Sequence, residues 1–192
     1  GMSKIKIDDI NYGKDLGYTL KLLAISKNID GKLEARVHPA FVKNSNPLGA
    51  VKGSFNAVLL KGDSVGDIML YGRGAGDLPT GSAIVSDIIY AAHRAEPYNY
   101  VIDETTDSDF NNDFVCQYYL RLSVVDKAGN FANIATVLGK NNVSLSQVVQ
   151  KRKDDSEDTV PIIIVTHETR ESDIQNSIKE LKSMENVVKS VD

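Results

Sequence analysis

The amino-acid sequence predicts an α+β protein in two parts: a mostly antiparallel sheet with covering helices, then a smaller unit in which strands and helices alternate. Three observations support this prediction. Two β-hairpin patterns follow each other in the first half, a stretch poor in aliphatic residues interrupts the chain near its middle, and the last third alternates strand and helix patterns in a regular order. We therefore expect a first domain over residues 1–95, a linker over 96–115 and a second domain over 116–192.

The first domain is predicted to begin with a short helix and a hairpin. Residues 7–16 have a helical pattern, and Asp8 and Asp9 favour its first turn because their negative charges complement the helix dipole. Residues 18–26 and 33–42 alternate with β-favouring side chains on either side of an Asp-Gly turn. This arrangement predicts an antiparallel hairpin with one wetted face.

A second hairpin and a longer helix complete the first domain. Residues 55–61 and 67–71 are predicted strands around a loop that contains two glycines. Residues 80–94 then carry apolar side chains at helical spacing. Four strands in two hairpins, with helices at both ends, indicate a mostly antiparallel sheet with helical cover.

The second domain follows a β-α-β-β-α-β order, which is the ferredoxin-like split arrangement. A charged loop at residues 152–158 separates two of its strands. A unit of about 75 residues has a small core for its surface, so we expect it to pair with a second copy as a homodimer or higher homo-oligomer. The predicted strands are 117–125, 143–151, 159–166 and 187–191, and the predicted helices are 128–140 and 168–184.

Composition and charge limit the classes of function. The 192 residues carry a net charge of −4 and no basic cluster, so nucleic acid is not an expected partner. Because no apolar run has the length of a membrane span and no signal peptide is present, we expect a cytoplasmic protein without a membrane partner. The one cysteine, Cys116, cannot form an internal disulfide, and no cysteine and histidine cluster has metal-site spacing.

A glycine-rich stretch is the main candidate for a functional motif. Gly72, Gly74 and Gly76 stand between a predicted strand and the helix that Pro79 and Thr80 open. Such a turn presents unpaired N–H groups at a helix N-terminus, which suit a phosphate, a carboxylate or a polar cofactor edge. The spacing differs from the G-x-G-x-x-G that holds a pyrophosphate. The residues alone therefore leave a second interpretation open, a tight turn whose glycines only permit close packing.

The residues around these glycines resemble one enzyme family. Tyr-Gly-Arg-Gly-Ala-Gly at 71–76, followed by Pro-Thr-Gly-Ser-Ala-Ile-Val-Ser-Asp at 79–87, resembles the end of the catalytic domain of homoserine dehydrogenase. Residues from about 116 to the end resemble the small regulatory module called the ACT domain. Further motifs that resemble the dehydrogenase family, in the right order, are Gly1-Met2-Ser3-Lys4-Ile5, Asp8-Asp9-Ile10 with Lys14-Asp15-Leu16-Gly17-Tyr18, Arg36-Val37-His38-Pro39 and Phe55-Asn56-Ala57-Val58.

The resemblance implies an oxidoreductase that interconverts L-aspartate 4-semialdehyde and L-homoserine with NADP or NAD, in threonine and methionine biosynthesis. In that family the dinucleotide-binding fold is N-terminal, and the catalytic lysine and substrate-binding acids come from a segment upstream of the position of Gly1. The resemblance therefore implies cofactor-side contacts only from Gly74, Ala75 and Gly76. It implies no catalytic residue in this chain, no bound cofactor and no activity of the chain alone.

The second domain carries a candidate effector site. The turn at residues 126–130 joins its first strand to its first helix, and Gly129 with a capping Asp126 explains that turn without any ligand. In ACT domains the matching turn often lies against an amino-acid effector, and the start of the next strand is its usual companion. The resemblance thus implies feedback by an amino acid, with threonine as the expected effector. The implied contacts are Asp126, Ala128, Gly129, Asn130, Asn142, Val143 and Ser144.

An alternative function belongs to another class. The chain could be a stand-alone module in which the ACT unit dimerises and senses an amino acid without any catalysis. A purely structural, dimerising role is what is left if no amino acid binds. Thermal stabilisation by amino acids separates these two roles, because a ligand that binds only the folded state raises the melting temperature.

Overall fold

A computed structural model describes residues 2–94, 109–150 and 158–192. The fold is α+β with antiparallel sheets, which confirms the predicted class. Much of the predicted linker (96–108) and of the predicted charged loop (152–157) lies outside the described residues. The elements of the first half are α1 (Ile7–Asp15), β1 (Tyr18–Ile29), β2 (Lys32–Lys43), a 3-10 turn (Pro47–Ala50), β3 (Phe55–Gly62), β4 (Gly66–Arg73) and α2 (Asp77–His93). Those of the second half are β5 (Val115–Cys116), β6 (Tyr119–Val125), α3 (Asn130–Lys140), β7 (Leu145–Gln150), β8 (Thr159–Thr166), β9 (Thr169–Arg170), α4 (Glu171–Ser183) and β10 (Val188–Val191).

The first half contains two separate antiparallel hairpins. β1 pairs only with β2, and β3 pairs only with β4, within the described parts of the chain. Asp30 and Gly31 close the first hairpin with φ angles of 52° and 80°, the left-handed backbone that a two-residue hairpin turn requires. The hairpins are antiparallel as predicted, but a two-stranded sheet is marginal in stability and depends on packing against other elements.

The second half is a four-stranded antiparallel sheet in the order β10-β6-β8-β7, packed against α3 and α4. This order confirms the predicted βαββαβ arrangement. β6 alternates inward and outward, while β8 is apolar almost throughout because it lies in the middle of the sheet. The side chains that are fully shielded from water in this core include Leu122, Ile134, Leu138, Ile164, Ile174 and Leu181.

Candidate functional site

The glycine-rich turn joins β4 to α2. β4 ends at Arg73, and α2 begins at Asp77, earlier than the predicted residue 80. Gly76 immediately precedes the helix with a φ of +122°, which L side chains rarely adopt. The carbonyl of Gly76 accepts a hydrogen bond from the N–H of Thr80 at 3.1 Å. The backbone therefore requires glycine at position 76 whether or not a cofactor approaches.

Gly74 is explained by contacts inside the chain. Its N–H donates to the carbonyl of Ser54 at 3.0 Å, so this donor is already engaged. A Cβ at position 74 would lie 1.5 Å from Nδ2 of Asn56, which packs beneath the turn. Ala75 and Gly76 are exposed. Gly74 thus also agrees with the second interpretation, in which the glycines of the turn only permit close packing. Contact of Gly74, Ala75 and Gly76 with a cofactor stays a prediction.

α2 presents an uncovered apolar face next to this turn. None of its residues is buried in the described chain, although its apolar spacing predicts that one face packs against another surface. The large apolar side chains of α2, which are between 52% and 86% exposed, are Leu78, Ile84, Val85, Ile88, Ile89 and Tyr90. Contiguous exposed patches of this kind mark interaction surfaces.

The predicted effector turn lies between β6 and α3. Gly129 has a φ of +89°, so glycine is required there. Asn130 is buried, and its Nδ2 donates to the carbonyl of Val125 at 2.8 Å, which fastens the turn to the end of β6. The side chain of Asn130 therefore holds the turn together, while Asp126 and Ala128 are exposed and accessible to a ligand.

The companion segment lies at the other end of α3. Asn142 adopts a left-handed backbone with a φ of 58°, and the side chain of Val143 is buried in the core. The carbonyl of Ser144 accepts from the N–H of His167 at 2.9 Å. Because α3 spans 11 residues, about 16 Å of helix separates the two predicted segments within one chain. The described chain does not bring the predicted effector contacts together into one pocket.

A polar cluster lies between the two halves of the chain, and the sequence analysis did not predict it. Asp9 was expected only as a helix-start acid, and its Oδ2 does accept the N–H of Lys6 at 2.8 Å. Its Oδ1, however, accepts from Nε of Arg121 at 2.7 Å and from the hydroxyl of Tyr119 at 2.9 Å. Burial, and then the hydrogen bond to Asp9, raise the pKa of the Tyr119 hydroxyl, so it remains a donor. The one hint in the sequence is an arginine within the apolar strand β6.

Among residues 2–94, 109–150 and 158–192, no group of three or more histidine, cysteine, aspartate or glutamate side chains is placed to hold a metal ion. No helix in those same ranges is long and apolar enough to cross a membrane.

The comparisons with known proteins match both halves of the chain. Residues 1–89 match the family model described as homoserine dehydrogenase, and residues 118–186 match the ACT domain. Among curated proteins, the homoserine dehydrogenase of Helicobacter pylori is 37% identical over 190 residues, which are 98% of this chain and 45% of that protein. The homoserine dehydrogenase of Bacillus subtilis is 33% identical over 96% of this chain and 44% of that protein.

Solved structures give the same result. A homoserine dehydrogenase from Thiobacillus denitrificans aligns with all of this chain and 45% of its own, with 33% identity and a TM-score of 0.85. A homoserine dehydrogenase from S. aureus aligns over the same shares, with 29% identity and a TM-score of 0.59. The chain thus spans about 45% of the length of these relatives.

Fold, motifs and matches together define a dehydrogenase region joined to an ACT domain. The class is therefore that of proteins in which a dehydrogenase-like region precedes an ACT module. Within this class, residues 1–89 match the homoserine dehydrogenase family, as the resemblance of the glycine-rich stretch predicted.

Proposed function

We propose that this chain is the C-terminal part of a homoserine dehydrogenase, with the distal portion of the catalytic domain over residues 1–95 and an ACT regulator over 116–192. The complete enzyme interconverts L-aspartate 4-semialdehyde and L-homoserine with NADP or NAD, in the cytoplasm, on the route to threonine and methionine. In this proposal the exposed backbone at Ala75 and Gly76, together with Gly74, faces the cofactor. The chain by itself binds no cofactor and performs no turnover.

The observation that carries this proposal is the uncovered apolar face of α2, directly after the glycine-rich turn. Six large apolar side chains that stay more than half exposed cost free energy in water, at roughly 25 cal/mol for each Å² left unburied. A dinucleotide-binding domain seated on this face would bury them and would bring the glycine-rich turn beside the cofactor. The second interpretation, close packing alone, accounts for Gly74 but leaves the face of α2 unexplained.

We further propose that the ACT domain binds threonine between two copies of the chain. The turn at 126–130 and the segment at 142–144 lie at opposite ends of α3, about 16 Å apart by helix length. Neither segment forms a pocket with the other within one chain, but a two-fold related copy can place its own segment opposite the turn. The exposed Asp126 carboxylate then accepts hydrogen bonds from the ammonium group of the amino acid, and N–H groups near Gly129 donate to its carboxylate.

Threonine is expected to raise the melting temperature of the chain by several degrees at saturating concentration. A ligand at 100 times its Kd stabilises the folded state by about 2.7 kcal/mol. Asp126→Asn should abolish most of this shift, because it removes the charge opposite the ammonium group. Glu168→Gln removes another exposed charge in the same domain and should leave the shift intact. If threonine and the other amino acids all fail to shift the melting temperature, the regulatory proposal fails and the structural, dimerising role replaces it.

The proposed site requires a homodimer, and sedimentation tests this requirement. The four-stranded sheet ends in the exposed strand β7, and both hairpins of the first half leave edges unpaired within the described chain. Unpaired edges favour pairing with another copy. Analytical ultracentrifugation at micromolar concentration should therefore report about 42 kDa, twice the 21.0 kDa of one chain. A single 21.0 kDa species would contradict the dimer and the shared effector site with it.

A further inference from the structure

Arg121 joins the first helix of the chain to its last residue. From the middle of β6, its Nε donates to Oδ1 of Asp9 at 2.7 Å, and its Nη2 donates to Oδ2 of Asp192 at 2.8 Å. The backbone of Arg121 also exchanges two hydrogen bonds with that of Asp192, at 2.9 and 3.0 Å. One guanidinium thus binds an acid of α1 and an acid that follows β10.

This cluster is shielded from water on its inner side. The side chain of Asp9 is 4% exposed and that of Arg121 is 11% exposed, whereas Asp192 lies at the rim with 36%. Tyr119 donates to the same Oδ1 of Asp9, and its ring packs on Phe41 of β2 with 4.5 Å between centroids. A carboxylate buried to this degree is costly unless charged and polar partners compensate it, so Asp9 depends on Tyr119 and Arg121.

A second set of hydrogen bonds connects the same two units. The segment 109–114 runs along β2, where the N–H of Leu33 donates to Asp109 at 2.9 Å and the N–H of Asn111 donates to Leu33 at 2.8 Å. Oδ1 of Asp113 then accepts the N–H of Ser172 in the first turn of α4 at 2.8 Å. The ACT domain is therefore held both through β6 and through the start of α4.

We propose that Arg121 is an interdomain clamp, which makes the ACT domain and the first half of the chain open and unfold as one cooperative body. The clamp combines a buried charge pair to α1 with an outer pair to the end of β10, so a displacement of β6 breaks contacts in both units. The proposal does not depend on threonine or on turnover, and its test therefore needs neither.

Hydrogen exchange of the intact chain tests the clamp, because exchange reports local opening residue by residue. Arg121→Met keeps much of the side-chain length without the charge. It should speed exchange of the α1 amides by about 10-fold or more and lower the melting temperature by about 5–10 °C, since it leaves Asp9 buried without its cation. Asp9→Asn, on the other side of the interface, should in turn speed exchange in β10. Lys140→Met breaks the exposed pair with Glu180 inside the ACT domain and should change neither region.

The outcomes separate clearly. Exchange that rises across the interface in both variants, and stays unchanged in Lys140→Met, supports the clamp. Exchange that rises only in the unit that carries the substitution overturns it, as does a wild-type chain that melts in two separate transitions. Arg121→Lys covers the possibility that Arg121→Met does not fold, because the lysine keeps the charge but cannot reach both carboxylates at once. This milder variant should then show the rise in α1 exchange, and its absence would equally overturn the proposal.

Discussion

Gly13→Ala is expected to lower the free energy of unfolding by about 2–3 kcal/mol, even though alanine is the better helix former. Gly13 is buried within α1, and a Cβ at this position would lie 2.3 Å from Cε1 of Phe41. Phe41 packs on Tyr119 of the ACT domain, so its ring cannot retreat without disturbing the contact between the two units. Such overpacking outweighs the gain of roughly 1 kcal/mol in helix propensity. Urea denaturation measures the difference.

Gly139→Ala, in a helix of the ACT domain, provides the matched control. Gly139 lies in α3, and no neighbouring atom comes within 4 Å of a Cβ built there. The same substitution should therefore stabilise the chain at position 139, by about 0.5–1 kcal/mol. Changes of opposite sign in the free energy of unfolding would then reflect only the difference in packing around the two glycines. A Gly13→Ala chain as stable as the Gly139→Ala chain would show that Phe41 does not press on α1.

The features that the sequence predicts best are those with strong local periodicity. β6 alternates apolar and polar side chains, and its inward residues Leu120, Leu122 and Val124 all lie in the core. The apolar stripes of α3 and α4 likewise place Ile134 and Ile174 inward. Each of these patterns is complete within one element, so each element can be assigned from its own residues. The order of the assigned elements then predicts the ferredoxin-like arrangement.

The features that the sequence could not predict depend on pairing between distant segments. An acid in the first turn of a helix is fully explained as a cap, so nothing local connects Asp9 with an arginine 112 residues away. The two hairpins were expected in a common sheet, but turn residues determine only the pairing within each hairpin. Periodicity in α2 likewise shows that one face is apolar without showing which surface covers it.

The pure chain is expected to show no oxidation of NADPH or NADH with L-aspartate 4-semialdehyde, and no reduction of NADP or NAD with L-homoserine. This expectation rests on the sequence, which contains no G-x-G-x-x-G, the phosphate-binding motif typical of a dinucleotide fold. Histidine could serve as a proton donor, but Nδ1 of His38 donates to the carbonyl of Pro39 at 2.9 Å and Nδ1 of His93 donates to that of Ile89 at 2.8 Å. One nitrogen of each of these two rings is thus engaged with the backbone.

A spectrophotometric assay that follows the reduced nicotinamide cofactor decides this prediction, with the full-length relative from Helicobacter pylori, 37% identical, as the positive control. The comparison is informative only if the chain is folded, so the sample should first pass the thermal melt used for threonine. If the chain is folded but shows no turnover while the relative is active, the result supports the proposal that the catalytic domain needs a dinucleotide-binding portion packed against α2. Turnover that follows the 192-residue chain through purification would show that the chain itself binds the cofactor, and the proposed division of labour would be wrong.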